Sequence, residues 1–380
     1  MRFAIIIIWC TAAVSVSSAF LVQDQSANAH VKSDAGQKNN HTIIFECRQW
    51  EGDYWSRDVE NGTEISPHTS AIFMVPEGGG VPPRQIPVGT ELNPGAPKFS
   101  PDGQWVYFQA RKEGRWNVFR CRADGTQIVN LTGAHTPFGD RFGYSFSRDG
   151  TKVLLTYNDG RIGRVVIMDP EGTNPHLVAP ELGYHYMADI SPDNTSVVFA
   201  HTEKGYTLVL KRLDTGELKN LTPGLRDCFL PGFTPNGKTI IFFRRGGDVY
   251  RVDADGSGLN RLTVGNDYDT FYLSPGDKHG SSDGPSLSPD GKRIAYIAKR
   301  DGVSQVYVMD VDGSQQQQLT FRPTPCGRVA FSPDGKQIAF VSWVDKGVQL
   351  FVIDSNGGKP RQITNIQGAV YQLAWQPNTQ

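Results

Sequence analysis

The sequence predicts an all-β fold, a seven-bladed β-propeller, and three observations support this prediction. A short motif recurs along the 380 residues at steps of 43 to 54 residues, a spacing close to that of propeller blades. Glycine (41) and proline (24) are frequent, which indicates short elements joined by many turns. The two ends of the chain carry complementary parts of one repeat, and the closure of a ring requires such a division.

The recurring motif is Ser-Pro-Asp-Gly after a large apolar residue. It is complete at Phe99–Gly103, Leu287–Gly291 and Phe331–Gly335 and altered in four other repeats. The seven residues at the serine position are Ser100, Ser147, Ser191, Thr234, Ser288, Ser332 and Gln376. The steps between them are 47, 44, 43, 54, 44 and 44 residues, which predicts one blade for each repeat.

Each repeat predicts four short strands. The first strand ends at the serine, where proline presets φ and Asp-Gly forms a tight turn. The second and third strands are rich in β-branched and aromatic residues, as in Ile294–Ala298 and Val306–Met309. An Asp-x-Asp-Gly turn follows, for example Asp310–Gly313, and a short fourth strand such as Gln317–Thr320 completes the blade.

The termini predict how the ring closes. The last repeat has only a first strand, about Tyr371–Gln376, whereas the first has only the later strands Thr42–Glu46, Ala71–Val75 and Arg84–Pro87. Pairing the two halves completes a seventh blade and removes two exposed sheet edges. A six-bladed ring is the alternative if the atypical first repeat does not form a blade.

These tandem Ser-Pro-Asp-Gly, Asp-x-Asp-Gly and Leu-Thr motifs resemble the WD-like repeats of the TolB β-propeller family over residues 41–380. The resemblance implies a propeller without the α/β domain that precedes it in TolB, because the predicted linker is short. TolB belongs to the Tol-Pal envelope complex, so the resemblance also implies an envelope partner. Similar repeats occur in prolyl-oligopeptidase-type propellers and in oligogalacturonate lyases.

The N-terminal region predicts export. Arg2 precedes the apolar run Phe3–Cys10, and small residues then lead to candidate cleavage sites after Ala19 and Ala29, of which we favour Ala29. The apolar run is too short to span a bilayer. We therefore expect a signal peptide at 1–29, a linker at 30–40 and a propeller at 41–380. The mature chain would then have no membrane span and would lie in the periplasm or outside the cell.

Charge and cysteine content exclude other classes. Lys and Arg total 38 against 39 Asp and Glu, so the chain lacks the basic surplus of a nucleic-acid-binding protein. Cys47, Cys121, Cys228 and Cys326 are widely spaced, which excludes a disulfide framework and a zinc motif built on close cysteine pairs. We expect four buried thiols, with one disulfide as the alternative.

The loops opposite the repeat turns predict a binding surface. These loops all differ, and varied loops on a rigid scaffold are where recognition is usually placed. The candidate ligand-binding residues are Trp50, Trp55, Arg141, Tyr144, Tyr184, His185, Arg226, Asp269, His279, Arg322 and Arg328. We expect a binding module without catalytic activity for an envelope protein, a peptide or a glycan, with no cofactor.

A polysaccharide lyase related to oligogalacturonate lyases is the alternative. β-Elimination from a uronic acid needs a base, a proton donor and a cation that stabilises the enolate. His185, Tyr186, Arg141 and Tyr144 are the candidates for these roles. A divalent metal is a weaker expectation, with His135, His185 and His279 as candidate ligands.

A serine hydrolase is not expected. Gly280–Gly284 matches Gly-x-Ser-x-Gly and contains Ser282, but the nucleophile elbow needs a following helix and a downstream histidine. Pro285 follows at once and no histidine occurs after His279.

Overall fold

The computed structural model describes residues 41–50, 59–60, 63–64, 68–133, 140–158, 163–202, 205–265, 284–300, 302–344 and 347–378. Within these residues, seven four-stranded antiparallel sheets form a ring, and a 3-10 turn at Thr90–Leu92 is the one helical element. The prediction of a seven-bladed β-propeller is confirmed, and the six-bladed alternative is wrong.

The strands follow the predicted repeat closely. In chain order they are β1 (Thr42–Trp50), β2 (Val59–Glu60), β3 (Thr63–Glu64), β4 (His68–Pro76), β5 (Arg84–Gln85), β6 (Gly95–Phe99), β7 (Val106–Lys112), β8 (Arg115–Cys121), β9 (Val129–Asn130), β10 (Asp140–Phe146), β11 (Val153–Asn158), β12 (Gly163–Met168), β13 (His176–Leu177), β14 (Tyr184–Ile190), β15 (Ser196–Thr202), β16 (Tyr206–Arg212), β17 (Leu218–Asn220), β18 (Cys228–Phe233), β19 (Thr239–Arg244), β20 (Val249–Asp253), β21 (Asn260–Arg261), β22 (Ser286–Leu287), β23 (Arg293–Arg300), β24 (Val303–Asp310), β25 (Gln317–Gln318), β26 (Cys326–Phe331), β27 (Gln337–Val344), β28 (Gly347–Asp354), β29 (Arg361–Gln362) and β30 (Ala369–Trp375).

The first strand of each blade lies on the inside of the ring. Blade 1 has the order β30-β1-β4-β5, and blades 2 to 7 take the six consecutive sets of four from β6–β9 to β26–β29. Strands β2 and β3 form a separate two-stranded sheet among the described residues. The first strands of neighbouring blades contact one another and line a central channel.

The ring closes in blade 1, as the termini predicted. Strand β1 pairs antiparallel with β30 on one side, with Ile43 opposite Trp375, and with β4 on the other. The amide of Gln376 extends the ladder by donating to the Thr42 carbonyl at 2.8 Å. This joins the two ends of the chain within one sheet.

The side chains of the repeat motif form hydrogen bonds within the turn that the motif builds. In blade 6 the Ser288 hydroxyl donates to the Asp290 carboxylate at 2.6 Å and accepts the amide of Arg293 at 2.9 Å. Gly291 adopts φ +72°, a left-handed conformation that glycine reaches without steric cost. The same bonds recur in the other complete motifs, so their aspartates serve the fold.

The pairing of the inner strand shifts register in six of the described blades, and in five of these a residue with positive φ marks a β-bulge. The residue four positions before the repeat serine has a positive φ of 50° to 79°, and the pairing with the second strand shifts register around it. The five residues are Ala96, Gly143, Met187, Leu230 and Arg328. Bulges bend a strand and change the direction of its side chains, and here they do so at the loop end of the channel.

Seven apolar clusters hold the ring together, one between each pair of neighbouring blades. The four cysteines at 47, 121, 228 and 326 lie in these clusters as buried free thiols, as predicted. In the part of the chain that the structure describes, no helix has the length and apolar character needed to cross a bilayer.

Candidate functional site

The central channel contains a cavity of about 550 Å³. Apolar side chains from blades 5, 6, 7 and 1 form one wall, with Leu230, Leu287, Phe331 and Trp375 among them. Among the described residues that line the cavity, Lys98 from blade 2 is the one lysine, arginine, aspartate or glutamate. The cavity is therefore mostly apolar and has a cation at one side.

The inner-strand position two residues before the repeat serine links blades across the channel wall. In blade 2, Lys98 Nζ donates to the Tyr144 carbonyl of blade 3 at 2.9 Å. In blade 4, Asp189 Oδ2 accepts the amide of Phe233 of blade 5 at 2.8 Å. Ser145 and Ser286 make the corresponding bonds to the next blade in blades 3 and 6.

Lys98 and Asp189 carry opposite charges on the same side of the channel. Burial lowers the pKa of Lys98 to about 8, while the Asp189 carboxylate favours its charged form. Burial raises the pKa of Asp189 to about 6, against the opposing effects of the Phe233 and Ile190 amides and the cations Arg148 and Lys98. The attraction between the two opposite charges favours the ionised form of both groups, so this side of the channel is polar.

Tyr144, a predicted ligand-binding residue and lyase candidate, has a structural role. Its ring lines the cavity, but its hydroxyl lies 2.6 Å from the Ala96 carbonyl and 2.8 Å from the Tyr107 carbonyl. The side chain is buried, and burial raises the pKa of its hydroxyl well above the ordinary value. These contacts tie blade 3 to blade 2 and remove the hydroxyl from acid–base chemistry.

His185, a predicted ligand-binding residue and lyase candidate, is fully buried within blade 4. Its ring packs against Phe199 with 5.1 Å between centroids, and Nδ1 lies 2.9 Å from the Gly183 carbonyl. It does not line the channel cavity. Burial lowers its pKa to about 4, so the imidazole is neutral at pH 7.

The buried imidazole makes stability depend on acid. Because the folded-state pKa is depressed, the contribution of neutral His185 is present above the unfolded pKa of about 6.5 and is lost as pH falls towards 4. Between pH 7 and pH 5, we expect the free energy of unfolding of His185→Gln to fall by about 2 kcal/mol less than that of wild type. Urea unfolding at both pH values measures this, and the exposed His176→Gln is the control. An unchanged pH dependence in His185→Gln would contradict the prediction.

The predicted arginines and Tyr184 occupy different environments. Arg322 donates to the Ser342 hydroxyl at 3.0 Å and stacks over Phe351 at 4.2 Å, so it joins blades 6 and 7. Arg328 is buried and stacks over the Tyr371 ring, also at 4.2 Å. Tyr184 is half-buried beside Tyr206, and burial raises its pKa to about 12. Arg226 is exposed and lines a second cavity of about 380 Å³ with His201.

For several predicted site residues, the structure describes neither the side chain nor, in most cases, the backbone. Trp55, His135, Asp269 and His279 lie outside the described residues, as does Ser282. For Trp50, Arg141 and Tyr186 the description covers the backbone only. Their predicted roles in binding, in a lyase site or in metal binding remain predictions. Among the described side chains, no group of three or more His, Cys, Asp or Glu is placed to hold a metal ion.

A buried charged cluster at the loop end of the channel was missed by the sequence analysis. Glu46 is almost completely buried, its Oε2 accepts the Ala96 amide at 2.8 Å, and its Oε1 accepts from Arg48. Arg48 lies 3.5 Å over the Tyr371 ring, on which Arg328 also stacks. The cluster joins blades 7, 1 and 2 across the point of ring closure.

Two exposed apolar residues lie on the same face as the irregular loops. Val264 and Phe321 directly follow the Leu-Thr pairs of blades 5 and 6, and they are 74% and 79% exposed. They are the most exposed large apolar residues in the described ranges. Large exposed apolar side chains on neighbouring blades are typical of an interaction surface when they form a patch.

Comparison with known families identifies the repeat. Residues 84–271 and 273–380 match the family model described as the TolB beta propeller domain. The chain belongs to the TolB β-propeller domain family. The match includes the repeats of blades 2 to 7 and β30.

Individual relatives of the TolB family match parts of the chain. The Tol-Pal system protein TolB of Anaeromyxobacter dehalogenans is 33% identical over 180 residues, which are 46% of this chain and 39% of that protein. The chain spans less than half the length of this relative and of two other curated relatives that it matches.

Solved structures share the fold. TolB from Acinetobacter baumannii is similar over 89% of this chain and 83% of its own, with 17% identity and a TM-score of 0.50. An oligogalacturonate lyase from Vibrio parahaemolyticus is similar over 85% and 86%, with 16% identity and a TM-score of 0.55. Proteins named for different functions thus share this fold, and function has to be argued from the site.

Proposed function

We propose that this TolB-family propeller is an exported binding module without catalytic activity, whose irregular-loop face binds a partner in the cell envelope. The exposure of Phe321 and Val264 on that face is the observation that carries the proposal. Aromatic residues, phenylalanine among them, are enriched in protein interfaces, and a few anchoring side chains supply most of the binding energy. We therefore place a protein or peptide ahead of a glycan as the partner.

Export to the periplasm is part of the same proposal. Its support is the signal-peptide pattern of residues 1–29 and the relative named as a Tol-Pal system protein. An extracellular location has no comparable support.

The lyase alternative loses two of its four candidate residues. The Tyr144 hydroxyl is held by backbone carbonyls and the His185 imidazole is buried away from the channel cavity. Similarity to an oligogalacturonate lyase extends to the fold alone. We therefore do not propose lyase activity.

The test compares the two faces of the ring. A photoreactive benzophenone side chain is placed at Phe321 or, as control, at Val81, which is 51% exposed in the β4–β5 turn on the opposite face. We expect a specific cross-linked envelope protein or peptide from position 321 alone. With that partner purified, Phe321→Asp should weaken binding at least about tenfold, as expected for an interface anchor, and Val81→Asp should leave it unchanged.

Two results would overturn the proposal. Equal cross-linking from both faces would remove the assigned surface. Release of unsaturated products from uronate polymers by wild type, lost in Arg141→Ala, would replace the binding module with an enzyme.

A further inference from the structure

Three charged residues depart from the repeat pattern around the channel. The position two before the repeat serine is small in five blades, namely Ser145, Gly232, Ser286, Ala330 and Ala374, but it is Lys98 in blade 2 and Asp189 in blade 4. The position after the serine is proline in six repeats but Arg148 in blade 3. All three charged residues thus come from blades 2 to 4.

The turn and the links between blades do not need the charge of these residues, because Ser145 and Ser286 make the corresponding links with neutral hydroxyl groups. Around Arg148 the turn keeps the Ser147–Asp149 hydrogen bond at 2.6 Å and a glycine at φ +72°, the same values as in blade 6. Ala330 and Ala374 occupy the position of Lys98 in blades that form equally regular sheets. Of the three charged residues, Lys98 lines the channel cavity, so its charge points to a role there.

The charged residues lie on one side of the channel, where apolar residues of blades 3 and 4 also line the cavity. Lys98, Asp189 and Arg148 interact electrostatically on this side. The opposite wall is built from Leu230, Leu287, Phe331 and Trp375 with their neighbours. A cavity of about 550 Å³ falls within the range of small-molecule sites.

Lys98 has hydrogen-bonding capacity left for a ligand. Among the described residues its ammonium donates one hydrogen bond, to the Tyr144 carbonyl, and an ammonium group has three donors. The Ser286 hydroxyl oxygen accepts the amide of Phe331, so its proton is available as a further donor. Lys98 is the one cation among the described lining residues, and Asp189 lies close to it. A ligand with one negative charge therefore fits the cavity better than a ligand with two.

We propose that the channel cavity binds a small organic monoanion with an apolar body, such as a medium-chain carboxylate. The carboxylate accepts from Lys98 and the apolar body packs against the wall of blades 5, 6, 7 and 1. A sugar acid fits less well, because that wall offers few partners for its hydroxyl groups. This site is inside the ring and is independent of the partner proposed for the irregular-loop face.

The experiment is isothermal titration of the full chain with decanoate. Wild type is expected to bind at a single site, with decanol and galacturonate each at least tenfold weaker. Lys98→Met should weaken decanoate binding at least tenfold, while the exposed Lys292→Met on a repeat turn should not change it. Ala330→Leu narrows the cavity with Lys98 intact and should reduce binding similarly.

Specific outcomes would overturn the assignment. Decanol binding as tightly as decanoate to wild type would exclude recognition by the cation, and this comparison needs no variant to fold. Equal affinity for galacturonate would exclude the apolar wall as a determinant. Full affinity in Ala330→Leu, with the circular dichroism of wild type, would place the ligand elsewhere.

Discussion

Removing β30 by ending the chain at Asn365 is expected to abolish cooperative folding of the ring. Strand β30 supplies the inner strand of blade 1 and contributes Ala369, Val370, Leu373 and Trp375 to the cluster between blades 7 and 1. Its loss opens the ring and exposes one edge of β1. Complete burial of a large apolar side chain contributes about 1.5–3 kcal/mol to stability. The loss of these side chains is therefore comparable with the whole net stability of a domain, about 5–15 kcal/mol.

Urea unfolding followed by circular dichroism measures this effect. A chain that ends at Pro377 keeps β30 and the Gln376–Thr42 hydrogen bond, and it should unfold like the full chain. A synthetic peptide of residues 366–380 should restore a cooperative transition when added to the truncated chain. A truncated chain with the transition of wild type would show that closure contributes little.

Replacing Glu46 by alanine is expected to lower the free energy of unfolding by about 3–5 kcal/mol, the usual result of breaking a buried ion pair. The substitution leaves the Ala96 amide without its acceptor and Arg48, which is 12% exposed, without its carboxylate. Both losses fall where blades 1 and 2 meet.

The design of this test separates charge from packing. Glu217→Ala removes an exposed carboxylate and should change stability by less than about 0.5 kcal/mol. Glu46→Leu combined with Arg48→Met replaces the whole pair by apolar groups and should recover part of the loss, because no unpaired charge remains. A loss under about 1 kcal/mol in Glu46→Ala would show that the pair is not a determinant of stability.

The sequence was sufficient for the fold because the repeat carries local chemistry. Each Ser-Pro-Asp-Gly motif specifies a turn through bonds between its own residues, such as Ser288 to Asp290. The number of motifs in the sequence therefore equals the number of blades in the ring. The halved repeats at the two ends predicted the β1–β30 pairing across more than 300 residues.

The candidate site could be predicted only in part, because side-chain direction depends on the bulges. Tyr184, His185 and Tyr186 precede the bulge at Met187, which resets the alternation of the strand. His185 therefore packs inside blade 4 and does not line the channel cavity. Lys98 and Asp189 could have been found by aligning the repeats, whereas the Glu46–Arg48–Tyr371 cluster depends on ring closure.

Burial protects the four cysteine thiols from oxidation in the native state. Burial raises the pKa of Cys47 and Cys121 to about 12 and that of Cys228 to about 11, so almost no reactive thiolate forms at neutral pH. Before folding, the same thiols have ordinary acidity and are open to oxidants. In an oxidising compartment, the chain must therefore complete its ring faster than its cysteines are joined in wrong pairs. The folding rate then determines the yield of correctly folded protein, independently of the stability of the native state.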